Sequence, residues 1–275
     1  MKPILKWAGG KSSILKFIKK YLPPNLDQRM YYEPFFGSGA LFFDIKPNKG
    51  VISDINKKLI NFYDVIKNYP DKLIAKAVKY EKYNTNSKKY YEFREIFNKQ
   101  KLDNIESAAL FLYLNKTCYN GLYRENSNGQ FNVPIGRYKN PKIVNKMKIK
   151  EASKILKNID MVSNDFQFIE KIVKPGDICY FDPPYYQPEI NNKFTSYSKE
   201  GFNYNDHMRL KNLCVKLNDI GAYFILSNAN NSEIINLYKK EKFEIVSITK
   251  KWMISCNVET RKNAEEIIIL NTNSF

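Results

Sequence analysis

At 275 residues with 43% hydrophobic content, the chain is long enough for one well-packed domain plus a smaller lobe. No apolar run approaches the roughly 20 residues of a membrane-spanning helix, and the stretch from Met1 to Leu22 is broken by Lys and Gly, so a soluble, unexported protein is expected. Lys and Arg number 45 against 28 Asp and Glu, a net charge of +17 that favours polyanions, nucleic acid foremost, through counterion release; the bland alternative is a solvated lysine surface in a chain rich in Lys, Asn, Ile, Tyr and Phe. Cys118, Cys179, Cys214 and Cys256 form no CxxC pair, which points away from a zinc site or a disulfide framework.

The glycine turn Trp7-Ala8-Gly9-Gly10-Lys11 precedes a helical stretch through Ile14, Leu15, Phe17 and Ile18. Tyr31 to Phe36 then reads as an aromatic strand running into Gly37-Ser38-Gly39, with Ala40 to Phe43 opening a helix. Val51 to Asp54 is a second short strand that ends in a carboxylate, and two parallel strands would put both ends on one rim. From residue 57 to 158 the pattern turns helical and basic, as in an inserted lobe between the catalytic segments 1–56 and 159–275. Within it, Asn128-Gly129 separates two β-like runs, 122–125 and 131–135, which predicts a hairpin whose Pro134 suits only an edge. The α/β pattern resumes with a strand over 178–181 stopping at Asp182-Pro183-Pro184-Tyr185, a helix over 206–217, and strands over 222–226, 243–248 and 266–270. His207 and the Lys-rich runs read as solvated helix faces. The fold class expected is α/β, a Rossmann-like sheet with an inserted helical lobe bearing the hairpin.

A lone GxG is weak evidence of a ligand loop, since Gly37 and Gly39 could be plain turn residues. Followed by Asp54, they gain meaning, because a carboxylate ending the next strand can accept hydrogen bonds from ribose hydroxyls. Phe42 stands where a third glycine would complete a dinucleotide fingerprint, a departure that favours S-adenosylmethionine over a pyrophosphate cofactor. The sharper signal is Asp182-Pro183-Pro184-Tyr185, because two prolines cannot extend a central strand and must turn the chain away at the sheet's carboxyl edge. A rigid turn with a capping Asp is the bland alternative. An aromatic amino group is a poor nucleophile while its lone pair is delocalised; the Asp182 carboxylate and the Pro183 carbonyl could bind both its hydrogens and free that pair. Tyr185 would stack on a base taken out of the duplex. No cysteine follows a proline, so covalent catalysis at a cytosine ring is not indicated.

The segments Leu5 to Lys11, Glu33 to Ala40, Phe111 to Lys116, Tyr119 to Arg124, Phe131 to Tyr138 and Asp182 to Tyr185 together resemble the DNA adenine methylase (Dam) family, and their order resembles the alpha group of N6-adenine methyltransferases. The resemblance implies transfer of methyl from S-adenosylmethionine to adenine in double-stranded DNA, leaving S-adenosylhomocysteine and needing no metal. It implies cofactor contacts at Trp7, Ala8, Gly9, Lys11, Glu33, Phe35, Gly37, Gly39, Ala40, Asp54, Ile55, Asp165, Phe166 and Asp182, with Asp182, Pro183, Pro184 and Tyr185 catalytic. In the inserted lobe Arg124 is similar to a guanine-reading arginine and Lys6 to a second guanine contact. Tyr119 and Asn120 match residues that invade the base stack, and Leu122 and Pro134 would meet thymine methyl groups, so that GATC is the expected target. Arg94, Asn126 and Arg137, with Ser255, Asn257 and Arg261, are expected on the DNA backbone. The stretch 252–261 departs from the family in Cys256, Val258 and Glu259, where small residues are commoner. A monomer in solution, more than one copy of which could occupy DNA, acting in a bacterial or phage-infected cytoplasm without a membrane partner, completes the expectation. The competing readings are an amino-methyltransferase for RNA or a protein glutamine, which the hairpin opposes, and a silent DNA-binding subunit, which would need neither Asp54 nor Asp182.

Overall fold

The computed structural model describes residues 1–11, 13–99, 101–186, 202–241, 243–250 and 264–271. Seven strands form one sheet in the order β3-β2-β1-β4-β5-β7-β6: β1 Tyr31–Glu33, β2 Gly50–Ser53, β3 Ile159–Val162, β4 Ile178–Phe181, β5 Tyr223–Ala229, β6 Glu244–Lys250 and β7 Ala264–Leu270. The strands β2, β1, β4 and β5 run parallel, and β7 lies antiparallel between β5 and β6. Every residue of β1, β2 and β4 is buried, as parallel strands covered on both faces require, which is why these runs read as continuous apolar or aromatic segments without alternation.

Two compact units divide the chain, one made of residues 1–12, 36–48 and 53–163, the other of 13–35, 49–52 and 164–275. The first holds α2 Ala40–Ile45, α3 Lys57–Asn68, α4 Pro70–Glu81, α5 Ser87–Lys99, α6 Asn104–Thr117 and α7 Lys146–Ile155, after a short α1 Leu15–Ile18 that belongs to the second. The helix α3 starts where the Asn56 side chain accepts from the Lys58 and Leu59 amides, and α6 where Asp103 accepts from Glu106. Its run Ala108-Ala109-Leu110-Phe111-Leu112-Tyr113-Leu114 is apolar on all sides, so α6 must be enclosed on all sides, and each of these residues is buried. The helices α3, α4 and α5 supply that enclosure, with Tyr113 tilted against Tyr80 and edge-on to Phe93, and Phe111 against Phe62 and Phe97.

The predicted hairpin is present as two isolated antiparallel bridges, Cys118 with Ile135 and Glu125 with Phe131, and not as a continuous ladder. Pro134 has no N–H to give a ladder, and its carbonyl instead accepts from the Tyr119 amide at 2.8 Å. The turn closes through Asn126 N–H to the Gln130 carbonyl, with Gly129 in the left-handed region, so the loop holds three residues and Asn128 keeps an ordinary backbone.

The second unit contains α8 Tyr204–Asp219 and α9 Ser232–Lys239. A capping box begins α8, with the Asn203 side chain on the Asp206 amide and the Asp206 carboxylate on the Asn203 amide. His207 is not on a solvated face. It is wholly buried on α8, edge-on to Phe202 at 4.7 Å and Tyr186 at 5.8 Å, neither ring nitrogen has a hydrogen-bond partner among the described residues, and burial pulls its pKa down to about 4. A helical period places Leu210, Leu213, Cys214 and Leu217 on the same buried stripe, and that stripe, one turn earlier, includes position 207.

Enclosure of α6 makes a test simple. Replacing Leu112 by Ala should cost about 2–5 kcal/mol of stability, read by urea denaturation, with the lower end reached only if neighbours close the cavity. A loss below about 0.5 kcal/mol would mean that α6 is not packed on all sides.

Candidate active site

In the first unit the loop between Phe36 and Ala40 is shaped by two glycines. Gly39 has φ +64°, and a Cβ there would lie 2.5 Å from Phe36 Cζ, while at Gly37 a Cβ would lie 2.8 Å from Trp7 Cδ1. Side chains at both positions are therefore excluded, and the Trp7 indole covers the Gly37 backbone. The Gly37 amide donates to Asp54 Oδ2 at 3.0 Å, and the Asn56 amide donates to Asp54 Oδ1 at 3.0 Å. One carboxylate thus ties the glycine loop to the segment that follows β2, and its roughly four acceptor positions leave room for a further donor. Burial pushes the Asp54 pKa above the ordinary carboxylate value, opposed by the amides of Asn56, Gly37 and Ile55. Lys11 is buried and its ammonium donates to the Gly9 carbonyl at 3.1 Å, so it folds the glycine turn back on itself and does not extend into solvent; Ala8 and Gly9 are exposed, and Ile55 is exposed. Ala40, the first residue of α2, is buried.

The DNA-facing expectations fall on the same unit. Lys6, Tyr119, Asn120, Leu122, Arg124, Pro134 and Arg137 are all exposed, and Asn126 and Arg94 are half-buried. Asn115 organises the start of this group, accepting from the Lys6 amide at 3.0 Å and donating to the Lys6 carbonyl at 2.7 Å. Lys6 then lies over the Tyr138 ring at 4.2 Å. Arg124 Nε donates to Asn132 Oδ1 at 2.8 Å, a bond that does not use the two terminal nitrogens of its fork. Arg94 donates to the Val133 carbonyl at 3.2 Å, so it also braces the hairpin. Lys116, half-buried near Lys148 and Lys6, is pulled down to about 8, first by burial and then by these two cations.

In the second unit Glu33 closes β1, buried, with the Tyr31 hydroxyl donating to it at 2.6 Å. Phe35 stacks on Phe166 at 5.3 Å and meets Phe202 edge-on at 5.4 Å. Asp165 caps the turn after it by accepting from the Gln167 amide, and Arg209 from α8 reaches across to it at 2.7 Å while its guanidinium lies over the Phe166 ring at 4.9 Å. Asp182 and the buried Pro183 follow β4 directly. Two phenols flank this carboxylate. Tyr180, hydrogen-bonded to Ser227 at 3.0 Å, and Tyr185 are both pushed well up, first by burial and then by Asp182, with Glu266 on β7 adding to the effect at Tyr185.

Sequence reasoning did not single out Asn115, Tyr123, Arg209 or Glu266. Asn115 and Tyr123 stood inside recognised motifs but without a role, and Arg209 and Glu266 act through partners distant in the chain. The positions Ser255, Asn257 and Arg261 lie outside the described residues. Among the described residues no group of three or more His, Cys, Asp and Glu is gathered as for a metal, and no helix is long and apolar enough to cross a membrane.

A parallel sheet continued by an antiparallel β7 between β5 and β6, with an aromatic pair and a DPPY turn after its strands, defines a Rossmann-like methyltransferase. The chain belongs to the D12 class of N6 adenine-specific DNA methyltransferases, whose pattern matches residues 7–254. It is 42% identical to the Type II methyltransferase M.MjaIII of Methanocaldococcus jannaschii, an alignment covering 98% of this chain and 99% of that protein. It is 39% identical to the Type II methyltransferase M1.LlaDCHI of Lactococcus lactis, covering 98% and 95%, and 33% identical to the DNA adenine methylase of Escherichia coli K12, covering 97% and 94%. DNA adenine is thereby preferred over an RNA or protein amide as the substrate.

Asp54 gives a test with a definite sign. Its native pKa is raised, so the stability it contributes is full below the unfolded value of about 4 and is lost as pH rises through the higher native value. Urea denaturation should show the ligand-free protein losing stability relative to Asp54→Asn as pH climbs above about 4. A gain relative to the variant over that range would contradict the burial argument.

Proposed function

We propose that the protein methylates the N6 amino group of a flipped adenine in duplex DNA, taking the methyl from S-adenosylmethionine, with GATC as its target. The observation that carries this reading is Asp182-Pro183 placed directly at the carboxyl end of β4 in a chain of the D12 class. Residues 1–56 and 159–275 form the catalytic portion and residues 57–158 the target-recognition portion.

In the first unit the residues fit the ribose of an adenosyl cofactor, since Asp54 retains acceptor capacity beside a glycine loop where side chains are excluded; in the second, the half-buried Phe35 ring, backed by Phe166, is proposed to meet the purine. Trp7, Ala8, Gly9, Lys11, Glu33, Gly37, Gly39, Ala40, Ile55 and Asp165 complete the set. When bound, S-adenosylmethionine supplies an electrophilic methyl on a sulfonium. The protein's part lies with the acceptor. The Asp182 carboxylate and the Pro183 carbonyl each take one N6 hydrogen, which favours a pyramidal nitrogen with its lone pair available, and an Asp182 oxygen receives the proton that the methylated nitrogen sheds. Pro184 holds the turn rigid, and Tyr185 stacks on the extruded base.

On the DNA side, the free end of the Arg124 fork suits guanine O6 and N7, Lys6 a second guanine, and Leu122 and Pro134 the thymine methyls. Tyr119 and Asn120 fill the gap left by the flipped adenine; the exposed Tyr119 ring and the left-handed backbone of Asn120 support a projecting wedge there. Arg94, Asn126 and Arg137, with Ser255, Asn257 and Arg261, serve the phosphates. The +17 charge is consistent with that polyanion, and the proposal is of a monomer in solution, more than one copy of which can occupy DNA inside the cell.

Purified protein incubated with methyl-labelled S-adenosylmethionine should label duplex DNA at adenine N6, and Asp182→Ala should abolish transfer while leaving duplex affinity within about threefold. Label transferred by the variant at the wild-type rate would remove Asp182 from the chemistry. Arg124→Ala should lose about 1–3 kcal/mol of discrimination at one guanine, measured by kcat/KM on substituted duplexes. An equal loss on every sequence would make it a phosphate contact.

A further inference from the structure

Tyr123 stands between Leu122 and Arg124 in sequence but turns the opposite way. Its neighbours are exposed, while its own ring is half-buried, as alternation along an extended segment dictates. The ring stacks on Trp7 with centroids 5.4 Å apart and planes at 17°, and it is held from behind by Phe111 at 5.3 Å and Phe131 at 5.4 Å. Trp7 in turn lies against Gly37, whose amide holds Asp54. The phenol continues the connection. Its hydroxyl donates to Glu125, and Glu125 pairs at 3.1 Å with Lys58 in the first turn of α3, two residues past the Asn56 cap. Lys58 also donates to the Gly129 carbonyl at the hairpin turn. Burial, then Glu125 and more weakly Asp54, push the phenol upward, with only Asn56 opposing, so Tyr123 stays neutral and its ring is a packing surface throughout the working pH range.

One side chain therefore touches the indole of the glycine loop on one side and carries the backbone of the base-reading edge on the other. Stacked aromatic pairs are worth about 0.5–1.5 kcal/mol beyond their burial, and they lock ring orientation. A ligand that presses on Trp7 and Asp54 must bias the Tyr123 ring, and through it the direction in which Leu122 and Arg124 project.

We infer that Tyr123 is a positioning residue that couples the nucleoside-cofactor site to the DNA-reading hairpin, so that cofactor and cognate duplex each strengthen the binding of the other. The inference rests on the cofactor and hairpin assignments proposed above. Coupling of this kind is reciprocal, so the factor by which cofactor tightens DNA equals the factor by which DNA tightens cofactor.

The test is a binding cycle on the full chain. The cognate duplex is first identified by mapping the methylated adenines, so the outcome does not hang on GATC. Its affinity is then measured by fluorescence anisotropy with and without saturating S-adenosylhomocysteine, against a duplex lacking the target. Wild type should bind the cognate duplex about tenfold tighter with the cofactor product present, within the range usual for coupled sites. Tyr123→Ala should bring that factor close to one while still binding each ligand alone, and Tyr123→Phe, which keeps the stack, should retain most of it. Tyr123→Leu fills the space without the ring and should behave like Ala, which separates coupling from simple collapse of the packing. A Tyr123→Leu protein with the wild-type factor would overturn the inference, as would a wild-type factor of one in a protein that binds both ligands. Failure of the wild type to bind S-adenosylhomocysteine at all would instead overturn the cofactor assignment.

Discussion

The carboxylate of Asp54 is the pin of the first unit. It takes the amide of Gly37 on one oxygen and the amide of Asn56 on the other, so the glycine loop and the start of α3 cannot move independently. Everything built on those two segments inherits their placement. Trp7 packs where the Gly37 side chain would be, Tyr123 packs on Trp7, and Lys58 on α3 ties down Glu125 and the hairpin turn. The carboxylate is half-buried, and burial raises its pKa; the three backbone amides around it offset part of that cost.

Aromatic rings do most of the connecting elsewhere. With 20 Tyr and 18 Phe, the chain fills its interior with flat groups whose hydroxyls end on carbonyls and carboxylates: Tyr90 on the Val133 carbonyl, Tyr113 on the Tyr83 carbonyl, Tyr31 on Glu33. Each such phenol combines a large buried area with one satisfied polar end, so it can cross from a helix to a loop without leaving an unpaired group. The same habit places Tyr180 and Tyr185 beside Asp182 and the Phe35 and Phe166 pair beside Asp165 and Arg209.

Much of this was legible in the sequence because it is local. The strand Ile178–Phe181 and its stop at Asp182-Pro183 follow from apolar residues meeting two prolines, the helix α6 from an unbroken apolar run, and the glycine loop from residues that alone tolerate its backbone. Each depends on neighbours a few positions away. What only the tertiary structure decided depends on partners far along the chain: β7 pairing between β5 and β6, His207 enclosed by Tyr186 and Phe202, Arg209 reaching 44 residues back to Asp165, and Tyr123 stacking across 116 positions on Trp7. A polar residue on a helix or a tyrosine in a hairpin carries no local sign of what will cover it, since burial is set by whichever distant surface the chain brings against it.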